Sequence, residues 1–87
     1  MYSKSATILN EAGLHARPAS VLVQAANKFK SEISIKVNDK TMNAKSIMAI
    51  LAGSISCGSQ VDIVGDGEDE GEAVDSIISL IENKFGE

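Results

Sequence analysis

Glu32-Ile33-Ser34-Ile35-Lys36-Val37-Asn38-Asp39-Lys40-Thr41-Met42-Asn43 opens with strict alternation, Ile33, Ile35 and Val37 against Glu32, Ser34 and Lys36. That is the pattern of a strand with one buried face. Asn38-Asp39 tolerates the positive φ angles of a tight reversal, so a short return strand is expected at Lys40 to Asn43. A hairpin that is apolar on one side needs a covering layer, and the flanking sequence supplies it. From Ala16 to Phe29, Ala19, Leu22, Val23, Ala26 and Phe29 recur at three and four residues, as do Ala73, Val74, Ile77, Ile78, Ile81 and Phe85 between Glu68 and Phe85. Both stretches predict helices with a single apolar stripe.

Further outward, residues 2 to 9 end in Ala6 and Ile8 alternating with Ser5 and Thr7, and Val61 and Ile63 alternate with Gln60 and Asp62. Each reads as a strand. Ser46 precedes Ile47, Met48, Ile50 and Leu51 as an N-cap before a short helix that stops near Gly53. Gly65 to Gly67 is expected to turn the chain. The order is βαββαβα, and its helices can close a core only against the apolar side of the sheet. The fold class expected is α+β, an open-faced β-sandwich whose other sheet face carries serines, a threonine and charges into water.

A chain of 87 residues is one domain, 1–87. Folding should hide roughly 8,300 Å² of surface, a small enough amount that most apolar residues must join the core. Hydrophobic residues make up 44% and charged residues 23%, a globular composition. The single cysteine, Cys57, excludes an internal disulfide, and Met1-Tyr2-Ser3-Lys4-Ser5 lacks the apolar run of a secretory signal. A cytoplasmic location is expected. The longest uncharged stretch, Ser46 to Val61, is too short to cross a bilayer, so no membrane insertion is expected. The net charge of −4 is split: seven bases face three acids up to Val61, whereas nine acids face only Lys84 beyond it. The N-terminal part could meet an acidic protein surface by electrostatic attraction. The acids at Glu68, Asp69, Glu70, Glu72 and Asp75 suit the start of a helix.

Gly13-Leu14-His15-Ala16-Arg17-Pro18-Ala19-Ser20 places the only histidine at a helix start. Amides in a first helical turn have no intrahelical acceptor and, with the helix dipole, favour an anion. Ala16 and Arg17 can offer such donors. Pro18 has no N–H to lose there, and its fixed φ suits the turn. The Arg17 guanidinium can hold phosphate oxygens bidentately. A neutral imidazole is nucleophilic near pH 7, and its phosphoramidate breaks readily once protonated, so His15 can take and give a phosphoryl group. The plainer alternative is a histidine that caps the helix beside a solvated arginine.

This segment resembles the phosphorylation site of the HPr family, the histidine-containing phosphocarriers of the phosphoenolpyruvate-dependent sugar phosphotransferase system. Asn43-Ala44-Lys45-Ser46-Ile47-Met48 resembles that family's second signature, and length and element order match along the chain. The resemblance implies a four-stranded antiparallel sheet of order 1-4-2-3 with three helices on one face. It also implies that His15 accepts phosphate through Nδ1 from enzyme I and passes it to enzyme IIA domains, with Arg17 as phosphate partner. The protein would be a relay substrate and no stand-alone enzyme, working without a cofactor as a monomer. Ser46 would be a regulatory phosphorylation site, as in the low-GC Gram-positive branch, where a dedicated kinase/phosphorylase yields a corepressor for the catabolite control transcription factor. Ile47, Met48 and Leu51 would form an apolar docking patch, although core packing is an alternative for Ile50 and Leu51. A regulatory paralogue acting only through Ser46 is the competing function. Ala12 departs from the family, standing where many relatives carry a polar side chain, and Gly53-Ser54 stands where many have Leu-Gly.

Other chemistries fit poorly. Gly65-Asp66-Gly67-Glu68-Asp69-Glu70-Gly71 has its third glycine one place late for a dinucleotide fingerprint, and its acids would repel pyrophosphate. His15 and Cys57 show no paired spacing for zinc, and no metal is expected. Tyr2, Phe29 and Phe85 are the only aromatics, which leaves no stacking platform for nucleic acid.

Overall fold

The computed structural model describes residues 1–86. Strands β1 (Tyr2–Thr7), β2 (Glu32–Val37), β3 (Lys40–Asn43) and β4 (Gln60–Asp66) alternate with helices α1 (Ala16–Ala26), α2 (Ile47–Ala52) and α3 (Glu70–Glu82), before a final 3-10 turn at Lys84–Gly86. The sheet runs β1-β4-β2-β3, antiparallel throughout. In register, Ile63 stands between Lys4 and Ile35, and Ile35 faces Met42. Ile35 and Ile63 are fully buried, together with Leu22 of α1, Ile50 of α2 and Val74 and Ile77 of α3. One layer of helices therefore covers one face. The accessible surface of 4841 Å² agrees with the roughly 4,900 Å² expected of a closed domain of this mass. No helix among the described residues is long and apolar enough to cross a membrane.

The hairpin turns as expected, with Asn38 at φ 55. Several boundaries move for local reasons. β1 stops at Thr7, yet fully buried Ile8 still pairs, its N–H donating to the Ser59 carbonyl and its own carbonyl accepting from Gly58, both at 2.9 Å. α1 ends at Ala26 instead of Phe29 because Lys28 and Phe29 bond back three residues, to the Ala25 and Ala26 carbonyls, tightening the last turn. β4 continues through Gly65 to Asp66, so Gly65 is a strand residue and no turn. A Cβ there would lie 2.9 Å from a Val74 methyl, and its absence lets α3 rest closely on the sheet.

α3 begins at Glu70, two residues later than expected, because Asp69 is engaged elsewhere. Its carboxylate accepts from the Lys30 and Ser31 amides, each at 2.9 Å, and from the Ser31 hydroxyl. These bonds, the hydroxyl's first, lower its pKa to about 2. Asp69 thus ties the start of α3 to the entry of β2, and Asp75 binds Lys4 at 2.8 Å and the Tyr2 hydroxyl at 3.0 Å. These two acids do tertiary work beyond favouring a helix N-terminus. α3 stops at Glu82, and Phe85 reaches the core through the following turn, where Lys84 and Phe85 both have φ of 55.

Candidate functional site

The loop before α1 is bent to fit. Gly13 adopts φ 69, its N–H donates to the Asn10 carbonyl, and Leu14 N–H donates to the Ile55 carbonyl, both at 2.9 Å. A Cβ on Gly13 would stand 2.3 Å from that Ile55 oxygen. With Leu14 buried, the next residue is turned outward. His15 is exposed and occupies the N-cap position of α1, with extended backbone and no side-chain capping bond. The imidazole is thus not consumed as a cap. The first intrahelical bond runs from Ala19 N–H to the His15 carbonyl at 3.0 Å. The Ala16 and Arg17 amides precede it, and buried Pro18 contributes no donor. Arg17 is exposed on the same turn. Beside His15 lies a depression of about 320 Å³ lined by Leu9, Asn10, Glu11, Ala12, His15 and Lys84.

Ser46 is the N-cap of α2, its Oγ accepting from Ala49 N–H at 3.3 Å. Among the apolar residues that follow, Ile50 is fully buried, Met48 is 75% exposed, Leu51 is 38% exposed and Ile47 is half-buried. Leu51 therefore joins Met48, three residues before it, on an open helix face, while Ile50 belongs to the core and half-buried Ile47 packs against it.

The structure does not bring Ser46 beside His15. The residues after α2 meet the His15 loop through Leu14 and Ile55. The residues before it meet the far end of α1, where Asn27 Nδ2 donates to the Lys45 carbonyl at 3.3 Å and Lys45 Nζ donates to the Phe29 carbonyl at 2.7 Å. α1 and α2 are thus antiparallel, with His15 at one end of the pair and Ser46 at the other. The exposed Met48–Leu51 face lies on α2, between Ser46 and the Ile55 segment that bonds the His15 loop. Sequence reasoning missed Lys45 as this clamp, and it missed Asn10 and Lys84, which are joined by an Asn10 Nδ2 to Lys84 carbonyl bond of 2.9 Å across 74 residues. No local signal marks such a pair. Among the described residues, no three His, Cys, Asp or Glu side chains are placed to hold a metal ion.

Residues 2–83 match the family described as PTS HPr component phosphorylation site. The chain is 45% identical to the phosphocarrier protein HPr of Treponema pallidum over 87 residues, covering 100% of this chain and 99% of that one. It is 42% identical to the HPr-like protein Crh of Halalkalibacterium halodurans, covering 97% and 100%. The crystal structure of HPr-C-His from Thermoanaerobacter tengcongensis superposes with a TM-score of 0.96 at 46% identity, covering 100% of this chain and 98% of that one.

Proposed function

From the premise that the chain belongs to the HPr family of phosphotransferase-system phosphocarriers, we propose that His15 is the carrier residue, accepting a phosphoryl group from phosphorylated enzyme I and passing it to enzyme IIA domains in sugar uptake. The observation that carries this reading is the exposed imidazole at the N-cap of α1, uncommitted to capping and next to the amides that open the helix. The Nδ1 lone pair forms the new bond to phosphorus while the bond to the donor breaks and its electron pair leaves with the donor. Ala16 and Arg17 amides and the Arg17 guanidinium stabilise the charge on the moving group. Transfer onward reverses these steps with an enzyme IIA group as acceptor. The protein acts as a carrier in the cytoplasm, as a monomer, and binds both partners through Ile47, Met48 and Leu51.

Incubation with enzyme I and labelled phosphoenolpyruvate should give an acid-labile label that His15→Ala abolishes. Equal labelling of that variant would assign the carrier role to another residue.

Ser46 is the proposed regulatory site. As the α2 N-cap it places an added phosphate at a helix start, where the dipole and amides favour it, so the fold survives and docking changes. ATP-dependent labelling by an HPr kinase/phosphorylase should vanish in Ser46→Ala, and unchanged labelling would reject the site. The product would bind a catabolite control transcription factor. The likeness to the HPr-like protein Crh favours a second reading, a regulatory paralogue without relay. Labelling of Ser46 with none at His15 would select it.

A further inference from the structure

We propose that Lys84 supplies the phosphoryl site with a second cation, acting from the side of the His15 depression formed by the C-terminal turn. The inference rests on His15 being the phosphoryl acceptor. Lys84 and His15 line one depression although they lie at opposite ends of the sequence. Its place there is built, because Asn10 Nδ2 binds its carbonyl at 2.9 Å, and next to it Phe85 is inserted in the core at 5% exposure. Both residues hold φ at 55, a conformation that side-chain-bearing residues avoid unless their surroundings impose it. A turn that is merely a frayed end would relax out of it.

The charge of the site gives this placement its use. Among the described residues, the charged ones that line the depression are Glu11 and Lys84, with Arg17 two residues after His15 on α1. A phosphoryl group on the imidazole adds nearly two negative charges. Glu11 opposes them, Ala12 has no polar side chain to offer, and Arg17 acts from the α1 side. Lys84 is the only base after Lys45. The ion pairs formed among the described residues are those of the amino terminus with Glu70 and of Lys4 with Asp75, so Lys84 is not committed to one of their carboxylates. A flexible ammonium is suited to approach a phosphoryl group as a point charge. It would also disfavour protonation of the phosphorylated ring, the step that precedes loss of the group.

The test loads the full chain with phosphoramidate, a small donor that bypasses protein docking. The His15 Nδ1 lone pair forms the bond to phosphorus as the donor's P–N bond breaks, and that electron pair leaves with ammonia. In Lys84→Gln the phosphorylated ring should titrate about 0.3 to 0.5 pH units higher by NMR, and the label should hydrolyse about two to three times faster near neutral pH. Lys84→Arg should restore both values, and Lys28→Gln, which removes a distant charge, should leave both unchanged. Wild-type values in Lys84→Gln, or an equal shift in Lys28→Gln, would overturn the role of Lys84 while leaving the carrier reading intact. Failure of the wild type to take the group on His15 from either phosphoramidate or enzyme I would overturn the carrier reading itself.

Discussion

A methyl group at residue 13 would press to within 2.3 Å of the Ile55 carbonyl oxygen, on a backbone whose φ is already 69. Gly13→Ala is therefore expected to cost about 1–3 kcal/mol in urea unfolding. It should also slow labelling of His15, since the same turn aims that residue outward. Ser54 offers the opposite case, with φ of 50 just beyond the end of α2. Ser54→Gly should raise stability by about 0.5–1 kcal/mol, read from the denaturation midpoint. At this scale the sequence was partly legible. Gly13, His15, Arg17 and Pro18 stand together in one short segment, and elementary chemistry gives each a task. The stop of α2 near Gly53 was legible, and Gly53 is its C-cap, whereas nothing in the sequence marked Ser54 as the left-handed residue that follows. Asn10 and Lys84 were hidden for a different reason, since a contact spanning 74 residues leaves no periodicity or spacing to read.

The elements themselves follow from pattern. Ile33, Ile35 and Val37 point inward and the stripes of α1 and α3 meet them, because a period of two or of 3.6 survives any details of packing. Ends were harder, as they depend on tertiary partners: Asp69 delays α3 by binding Lys30 and Ser31, and the tightened bonds of Lys28 and Phe29 shorten α1. α2 is too short to bury all its apolar residues, and its geometry separates Ile50, wholly interior, from Met48 and Leu51. Leu51→Glu should accordingly leave thermal unfolding within about 0.5 kcal/mol of the parent, as for other surface changes. It should raise the KM for labelling by enzyme I severalfold. An unchanged KM would remove this face from the docking surface.

Across the whole molecule, the acidic C-terminal part is held to the rest by carboxylates whose pKa values are lowered: Asp69 by Ser31 and Lys30, Glu70 by the Gly67 amide and the amino terminus, and Asp75 by Lys4 and Tyr2. A carboxylate whose folded pKa lies below its unfolded one stabilises the fold fully above the unfolded value and ceases to do so as pH falls through the folded one. For Asp69 the window runs from its ordinary 3.8 down to about 2. The Tm gap between wild type and Asp69→Asn should be widest near pH 6 and close as pH approaches 2. A gap independent of pH would show that the carboxylate charge is not what matters. The antiparallel pairing of α1 and α2 operates at the same scale. His15 and Ser46 are separated by about the length of α1, an 11-residue helix of roughly 16 Å. That span works as a ruler for visitors. A reagent whose footprint covers only the imidazole end should be indifferent to a charge at the serine end, so Ser46→Asp should leave phosphoramidate loading unaltered. A protein broad enough to lie along all of α2 senses both marks at once, and the same substitution should slow enzyme I.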